Sequence, residues 1–389
     1  MRMLIAGLCA VVLAAVPTFS TAADPYEINV ILPITGAAAF LGKADVNALT
    51  VIEQTVNKAG GIRGRQIKFV ILDDQTTPAV AVQLLNGVIA KNVPFVLGST
   101  LSAVCSAMGP LLKDGPVEYC FSPGIKPAPG TFVYSAGAGS IDLIGAVARY
   151  ARDRGFHKIA ELSTTDATGQ DADHSIDTVF ALPENRSLTM VDREHFNGGD
   201  VSVAGQMTKI VAAAPDMLIA WSTGTPFATV LRGVRDAGLD VPIMSTNGNM
   251  SYAQLRQYAG FMPKELLFPG LPSLAPGQLP NGPLKSAVNR FLEAFKSANA
   301  TPPEAGENQV WDATLILLDG LRKYGFDATP AQIRDYVNNL HGWTGVYGTF
   351  DFKAIPQRGI GADAVIIERW DPVKEAFVGV SRQGGAAFK

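Results

Sequence analysis

The chain has little of several features that mark large classes of protein. Its 389 residues include only three cysteines and four histidines, and the histidines are scattered, so no metal site is expected. Charged residues make up 17% of the chain and the formal net charge is −3, without a long basic run. Nucleic acid is therefore excluded as a partner. No stretch reaches the ~20 apolar residues of a membrane span, and the length predicts a globular chain with two or three domains.

Enzyme motifs are also missing. The nearest approach to a phosphate-binding loop runs from Gly36 to Gly42-Lys43-Ala44, which has the wrong spacing and lacks the hydroxyl that would hold magnesium. Gly137-Ala138-Gly139 lacks the third glycine of a dinucleotide fingerprint. Hydrolase-elbow, zinc-protease and calcium-loop patterns are absent from the sequence. We therefore expect no catalytic residues, no cofactor, no metal and no enzymatic activity.

The first 23 residues have the composition of a targeting segment. Arg2 precedes a stretch of about thirteen apolar residues, Leu4–Val16, and small residues follow as Thr21-Ala22-Ala23. This order is typical of a cleavable secretory signal peptide at residues 1–23. Cys9 lies inside the apolar stretch and not at a lipidation position, so we expect a soluble, periplasmic chain that begins at Asp24.

Two cysteines remain after that cleavage. Cys105 and Cys120 are fifteen positions apart. An oxidising compartment allows them to pair, which would close a loop worth ~3 kcal/mol in the chain-entropy account. Two separate buried thiols fit the sequence as well, and both interpretations stay open at this point.

Apolar runs rich in β-branched residues alternate with segments of helical periodicity. The run from Ile28 to Leu32, for example, precedes a helical segment at Ala44–Asn57, and the rhythm restarts at Lys158–Leu162. Continuous apolar strands separated by helices predict α/β architecture with doubly wound parallel sheets, here two of them. Phe132–Ser140 and Phe268–Pro283 are rich in small residues or proline, and we interpret them as linkers.

One motif has a specific spacing. Asn57-Lys58-Ala59-Gly60-Gly61-Ile62-Arg63-Gly64-Arg65 ends a helix and precedes a strand that finishes at Asp73-Asp74. With Leu32-Pro33-Ile34-Thr35-Gly36 before it and Gly345–Asp351 near the end, the order resembles that of the periplasmic leucine/isoleucine/valine-binding protein family, the type I solute-binding proteins of ABC transporters.

The resemblance implies two doubly wound lobes joined by a three-segment hinge. It places residues 24–136 and 273–345 in an N-terminal lobe and residues 137–272 and 346–389 in a C-terminal lobe. A small carboxylate would bind in the cleft between them, and hinge closure would present a surface to ABC permease subunits in the inner membrane. The chain is expected to be a monomer. A sensory receptor domain of the same fold is an alternative function.

The resemblance also supplies candidate ligand residues. Ser102 matches a serine that binds the ligand carboxylate, although an N-cap role is equally typical of a serine before a helix. Gly124 matches a backbone contact, and Lys126 would pair with a ligand anion or point into solvent. The remaining candidates are Phe40, Leu101, Ser122, Thr168, Thr223 and Thr225, with Trp221 as a weaker candidate for the cleft wall.

Asn247 departs from the family pattern. Amino-acid binders of the family have a glutamate there that holds the ligand ammonium, whereas an amide carries no charge to balance a buried cation. The sequence therefore predicts an aromatic or other non-amino organic acid as the ligand. A branched-chain or other hydrophobic amino acid is the alternative.

Overall fold

The computed structural model describes residues 24–36 and 38–388, so the predicted signal peptide lies outside the described residues. The first sheet has the strand order β2-β1-β3-β4-β5, with every neighbouring pair parallel. Its strands are β1 (Tyr26–Leu32), β2 (Ile67–Asp73), β3 (Phe95–Gly98), β4 (Val117–Cys120) and β5 (Val133–Ser135). β3 and β4 are buried throughout, as expected for parallel strands covered on both faces.

Helices connect the strands of this sheet. They are α1 (Ala39–Lys58), α2 (Pro78–Ile89) and α3 (Ser102–Met108). Just beyond α1, Gly60 and Gly61 have φ angles of 96° and 76°. Glycine adopts this left-handed conformation at little cost, which is why the chain can leave the helix there and turn toward β2.

The second sheet repeats the alternation. Its parallel strands are β6 (Lys158–Thr164), β7 (Thr189–Phe196), β8 (Met217–Trp221), β9 (Ile243–Met244) and β10 (Leu266–Gly270). The helices between and before them are α4 (Ser140–Arg154), α5 (Ala167–Phe180), α6 (Ala204–Ala213), α7 (Thr225–Asp236) and α8 (Tyr252–Gln257).

The chain then returns to the first sheet. Helices α9 (Pro283–Ser297), α10 (Ala305–Tyr324) and α11 (Pro330–Asn338) follow, and α10 packs against α1 and α11. An antiparallel hairpin of β11 (His341–Thr344) and β12 (Thr349–Asp351) comes next. The first sheet with these elements is the first lobe.

The last strands belong to the second lobe. β13 (Ile366–Asp371) pairs antiparallel with β10, and β14 (Ala376–Gly379) pairs antiparallel with β13, which gives a sheet of seven strands. The two-lobed α/β fold with parallel-sheet cores is thus as predicted. None of the helices in the described part of the chain combines the length and apolarity that crossing a bilayer requires.

The chain passes between the lobes three times. The first crossing joins β5 to α4 and the second joins β10 to α9. Asp351 N donates to Gly359 O, and Gly361 lies beside Asp142 of α4, so the third crossing falls near residues 359–361. The backbone N–H groups of Val346 and Tyr347 donate to the Asp312 carboxylate of α10, and Ser135 N donates to Gln357 O. These bonds hold residues 346–357 on the first lobe.

Two predicted linkers contain regular structure. Phe132–Ser140 includes β5, and Phe268–Pro283 includes the end of β10. Both strands are short and buried. Whether such a segment forms a strand depends on its neighbours in the sheet, so its own sequence gives only a weak signal. α4 and the β11–β12 hairpin had no counterpart among the predicted elements.

Candidate functional site

Three predicted ligand residues lie together at the carboxyl ends of β3 and β4. Ser102 Oγ lies 2.6 Å from Ser122 Oγ, and Gly124 N donates to Ser122 Oγ at 3.3 Å. A β-carbon at Gly124 would collide with Ser102 Oγ, so only glycine allows this approach. The two hydroxyls carry two hydrogens, of which one is used between them. One O–H group remains to donate to a ligand.

Ser102 is not the N-cap of its helix. The cap of α3 is Leu101, which makes no side-chain capping bond, and Ser102 is the first helical residue. Its hydroxyl is bonded across to Ser122 instead. Cys105, one turn further along α3, forms a disulfide with Cys120 at the end of β4. Of the two interpretations that the sequence left open, the structure has the bonded pair.

Lys126 makes an ion pair with the opposite lobe. Its Nζ lies 3.2 Å from Asp171 Oδ1 of α5, with side-chain exposures of 55% and 22%. A second polar contact between the lobes joins Tyr252 N, at the start of α8, to Glu304 Oε1 before α10 at 2.8 Å. The carboxyl-end loops of the two sheets therefore face each other.

Asn247 lies on the second-lobe side of this cleft. It is 5% exposed, its Oδ1 accepts a bond from the Thr246 hydroxyl at 3.2 Å, and its Nδ2 has no hydrogen-bond partner. The hydroxyl of Tyr347 lies beside it, also without a bond of good geometry, and burial raises the pKa of Tyr347 to about 12. Buried polar groups without partners are uncommon in folded proteins. Two such groups side by side are typical of a site that a ligand completes.

Asn249 fixes the loops around Asn247, and the sequence did not identify it. Its Oδ1 accepts from Gly224 N at 2.9 Å, and its Nδ2 donates to Ser222 O at 2.6 Å and to Ser245 Oγ at 2.9 Å. It thus joins the loops after β8 and β9. Thr223 lies in the loop after β8. Its Oγ1 would be 3.3 Å from a β-carbon at Gly248, so Thr223 lies close to the loop after β9.

The other candidates are more widely spread. Thr168 and Thr225 are exposed at the starts of α5 and α7, and the Asp166 carboxylate already accepts from Thr168 N and Gly169 N. Phe40 is 44% exposed in the first turn of α1, and Leu101 is half-buried. Trp221 is 3% exposed within the core, the more common place for a tryptophan.

Asp45 of α1 is a buried acid that sequence reasoning missed. Its Oδ2 accepts from the hydroxyl of Thr100, two residues before Ser102, while its Oδ1 has no partner. Burial raises the pKa of the Asp45 carboxyl well above its usual range, a shift that the Thr100 bond opposes. Asp45 therefore has an unused oxygen, which faces Gly306 of α10.

Arg358 connects the site to the hinge. Its buried guanidinium donates to the carbonyls of Pro123 and Ile125, at 3.0 and 2.7 Å, and to that of Gly137 at 2.9 Å. Pro123 and Ile125 flank Gly124, and Gly137 belongs to the first crossing. Because Arg358 lies more than 200 positions away in sequence from these partners, no local pattern could have indicated it.

Comparison with known proteins gives the same family as the sequence resemblance. The family described as periplasmic binding protein matches residues 25–371. The chain is 25% identical over 351 residues to a leucine-, isoleucine-, valine-, threonine- and alanine-binding protein of Pseudomonas aeruginosa, covering 88% of this chain and 90% of the relative.

Solved structures share the fold at low sequence identity. An extracellular ligand-binding receptor from Rhodopseudomonas palustris HaA2 has a TM-score of 0.78 at 20% identity, covering 91% of this chain and 99% of that one. A solute-binding protein of R. palustris in complex with benzoate gives 0.73 at 18%, covering 94% and 97%. A branched-chain amino acid binding protein of Streptococcus pneumoniae with isoleucine gives 0.74 at 17%, covering 92% and 99%. The chain therefore belongs to the periplasmic binding protein family.

Proposed function

We propose that the protein is the solute-binding component of an ABC importer and captures a small carboxylate between its lobes. The observation that carries this proposal is the Ser102–Ser122–Gly124 cluster, which leaves one O–H group free at the start of the loop whose Lys126 pairs with Asp171 of the other lobe. A neutral hydroxyl that donates to a carboxylate forms a charge-assisted bond, which is stronger than a bond between neutral groups. Closure of the second lobe over this bond would exclude water from it.

The ligand that fits best is an aromatic or other non-amino organic acid. Asn247 offers an unpaired N–H donor and no negative charge, so it suits an oxygen of the ligand and cannot neutralise an ammonium. Two threonines, Thr168 and Thr225, have small exposed side chains at the second-lobe helix starts and leave room for a ring. The R. palustris solute-binding protein that shares this fold was solved in complex with benzoate, which supports the proposal.

Asp45 favours a second candidate, an amino-acid ligand. Its unpartnered Oδ1 could accept from an ammonium, and a bound cation would lower the raised pKa of this carboxyl and keep it ionised. The names of the curated relatives support this alternative. Because Asp45 is buried and its Oδ1 faces Gly306 of α10, we rank the amino-acid ligand below the non-amino acid.

A thermal-shift screen of residues 24–389 tests both candidates. The panel holds branched-chain amino acids, aromatic acids and dicarboxylates, since a ligand that binds only the folded state raises the melting temperature. We expect a rise with aromatic or other non-amino acids. A rise with leucine or valine alone would select the second candidate, and Asp45→Asn should then abolish it. No rise with any member would contradict carboxylate binding. A sensory receptor domain would also bind in this screen, but it would not support uptake by a permease.

A further inference from the structure

The Cys105–Cys120 disulfide lies next to the Ser102–Ser122 pair. Cys105 follows Ser102 by three residues, one helical turn, and Cys120 precedes Ser122 by two residues along an extended segment. The disulfide and the contact between Ser102 and Ser122 are therefore two parallel connections between the same elements, α3 and the end of β4. From this geometry we infer that the disulfide positions the serine pair and thereby sets the affinity of the cleft for a carboxylate, an inference that rests on the proposed function.

The disulfide and the serine pair contact the same stretches of backbone. The Cys105 and Cys120 sulfurs lie 3.2 and 3.5 Å from the Ser99 carbonyl oxygen, which also accepts a bond from Phe121 N at 2.9 Å. Ser122 N lies 3.3 Å from the Cys120 sulfur. The disulfide thus contacts both the loop that leads to Ser102 and the backbone of Ser122.

α3 depends on tertiary contacts, the disulfide among them, to hold its first turn in place. It has seven residues, no side-chain cap at its N-terminus and Pro110 shortly after its end. A helix of this length is not stable on its own, so its position depends on tertiary contacts. Without the covalent link, we expect the Ser102 hydroxyl to sample positions away from Ser122, and a ligand must then order it on binding.

Removal of the disulfide gives different results if it positions Ser102 than if it only stabilises the folded chain. A disulfide that only constrains the unfolded chain lowers the melting temperature when it is removed and leaves the dissociation constant of the folded protein unchanged. A disulfide that positions Ser102 also weakens binding well below the melting temperature. Its effect then overlaps with that of Ser102→Ala, because both changes remove the same contact.

The test is a double-mutant cycle in the full mature chain. Cys105→Ala/Cys120→Ala, Ser102→Ala and their combination are titrated with 3-phenylpropanoate and with leucine as probes. We expect the cysteine variant to raise the dissociation constant at least fivefold. Ser102→Ala should cost about fivefold in the wild type and less than twofold in the cysteine variant. Cys105→Ala/Cys120→Val replaces the alanine pair if that variant does not fold.

Val88→Ala is the matched control. Val88 is a buried core residue of α2, the helix that packs against α3, so its truncation lowers the melting temperature and removes no atom of the serine pair or the disulfide. We expect its dissociation constant to equal that of the wild type. Unchanged binding in the cysteine variant, or additive losses in the cycle, would overturn the inference.

Hydrogen exchange separates this inference from the proposed function. If the wild type binds neither probe, the proposed function fails. Exchange of the amides in residues 101–105 and 121–124 still tests whether the disulfide positions the serine pair. Faster exchange of these amides in the cysteine variant than in Val88→Ala supports it. Equal exchange overturns it.

Discussion

Lys126 Nζ and Asp171 Oδ1 lie 3.2 Å apart and join the loop beside Gly124 to helix α5 of the other lobe. Lys126 was predicted to pair with a ligand anion or to point into solvent, and in this structure its charge is matched by Asp171. An ion pair between two hinged bodies stabilises their closed arrangement, so it adds to the affinity for any ligand that the closed form holds.

The charge on Lys126 acts through this pair, and we predict that Lys126→Gln and Asp171→Asn weaken ligand binding equally. Both groups are partly exposed, so the expected loss is ~0.2–1 kcal/mol, or up to about fivefold in Kd, and it should shrink at high salt. Titration calorimetry at two salt concentrations measures it. Lys264→Gln breaks an exposed pair with Asp240 within the second lobe and serves as the control. A large loss in Lys126→Gln alone would mean that Lys126 contacts the ligand directly.

We expect the Ser102 hydroxyl to take part in donating to the carboxylate of the proposed ligand. Ser102→Ala should therefore raise the Kd of the bound acid by about fivefold, corresponding to ~1 kcal/mol for a lost hydrogen bond to a charged group. Ser106→Ala changes an exposed serine on the same helix and should have no effect. Equal dissociation constants for Ser102→Ala and the wild type would remove Ser102 from the site.

Replacement of Asn247 tests the ligand class. In Asn247→Glu the new carboxylate can hold a ligand ammonium, so we predict that leucine binding appears and binding of the non-amino acid falls at least tenfold. Asn247→Gln keeps a neutral amide and should gain no leucine affinity. Loss of the native acid without any amino-acid gain would show that residue 247 does not lie opposite the α-carbon of the ligand.

A buried carboxyl in the second sheet makes stability depend on pH. Burial, with a further contribution from a hydrogen bond to Asp173, raises the pKa of Glu161 from 4.5 to about 8, although Arg193 Nε donates to it at 2.6 Å. Between pH ~4.5 and 8 the folded state therefore holds a proton that the unfolded state has lost, so this group lowers stability as pH rises through that window.

Glu161→Gln removes this titration and keeps the oxygen that accepts from Arg193. We predict that the variant gains stability relative to the wild type between pH 5 and 8, by at most ~1.4 kcal/mol per pH unit, and that the difference is constant above pH 8. Denaturant unfolding at pH 5, 7 and 9 gives the comparison. Parallel stability profiles for the two proteins would contradict the raised pKa of Glu161.

The elements that the sequence predicted are those with strong local patterns. Ile28–Leu32 is buried at every position and forms most of β1, and the helical periodicity of Ala44–Asn57 falls inside α1. β5 has three residues and was missed, because its pairing with β4 is visible only once the sheet is assembled. The third crossing has no local signal, because Asp312, in a separate helix, decides where residues 346 and 347 lie.

The residues of the candidate site also divide into those with a local sequence signal and those without one. The family resemblance names Ser102, Ser122 and Gly124, which follow two neighbouring strand ends within one stretch of chain. Asp45, Tyr347 and Arg358 reach the site from distant segments and carry no local motif. Burial and the absence of a partner atom, which single them out, are properties of the assembled fold.

We propose that the cleft binds a carboxylate without an adjoining ammonium. Calorimetric titration of the wild type with pairs of ligands that differ only in the α-amino group tests it most directly: 3-phenylpropanoate against phenylalanine, and 4-methylpentanoate against leucine. An unpaired buried ammonium costs several kcal/mol, so we predict that the des-amino acid of each pair binds at least tenfold more tightly. Tighter binding of phenylalanine or leucine would contradict the account and would identify an amino-acid-binding protein.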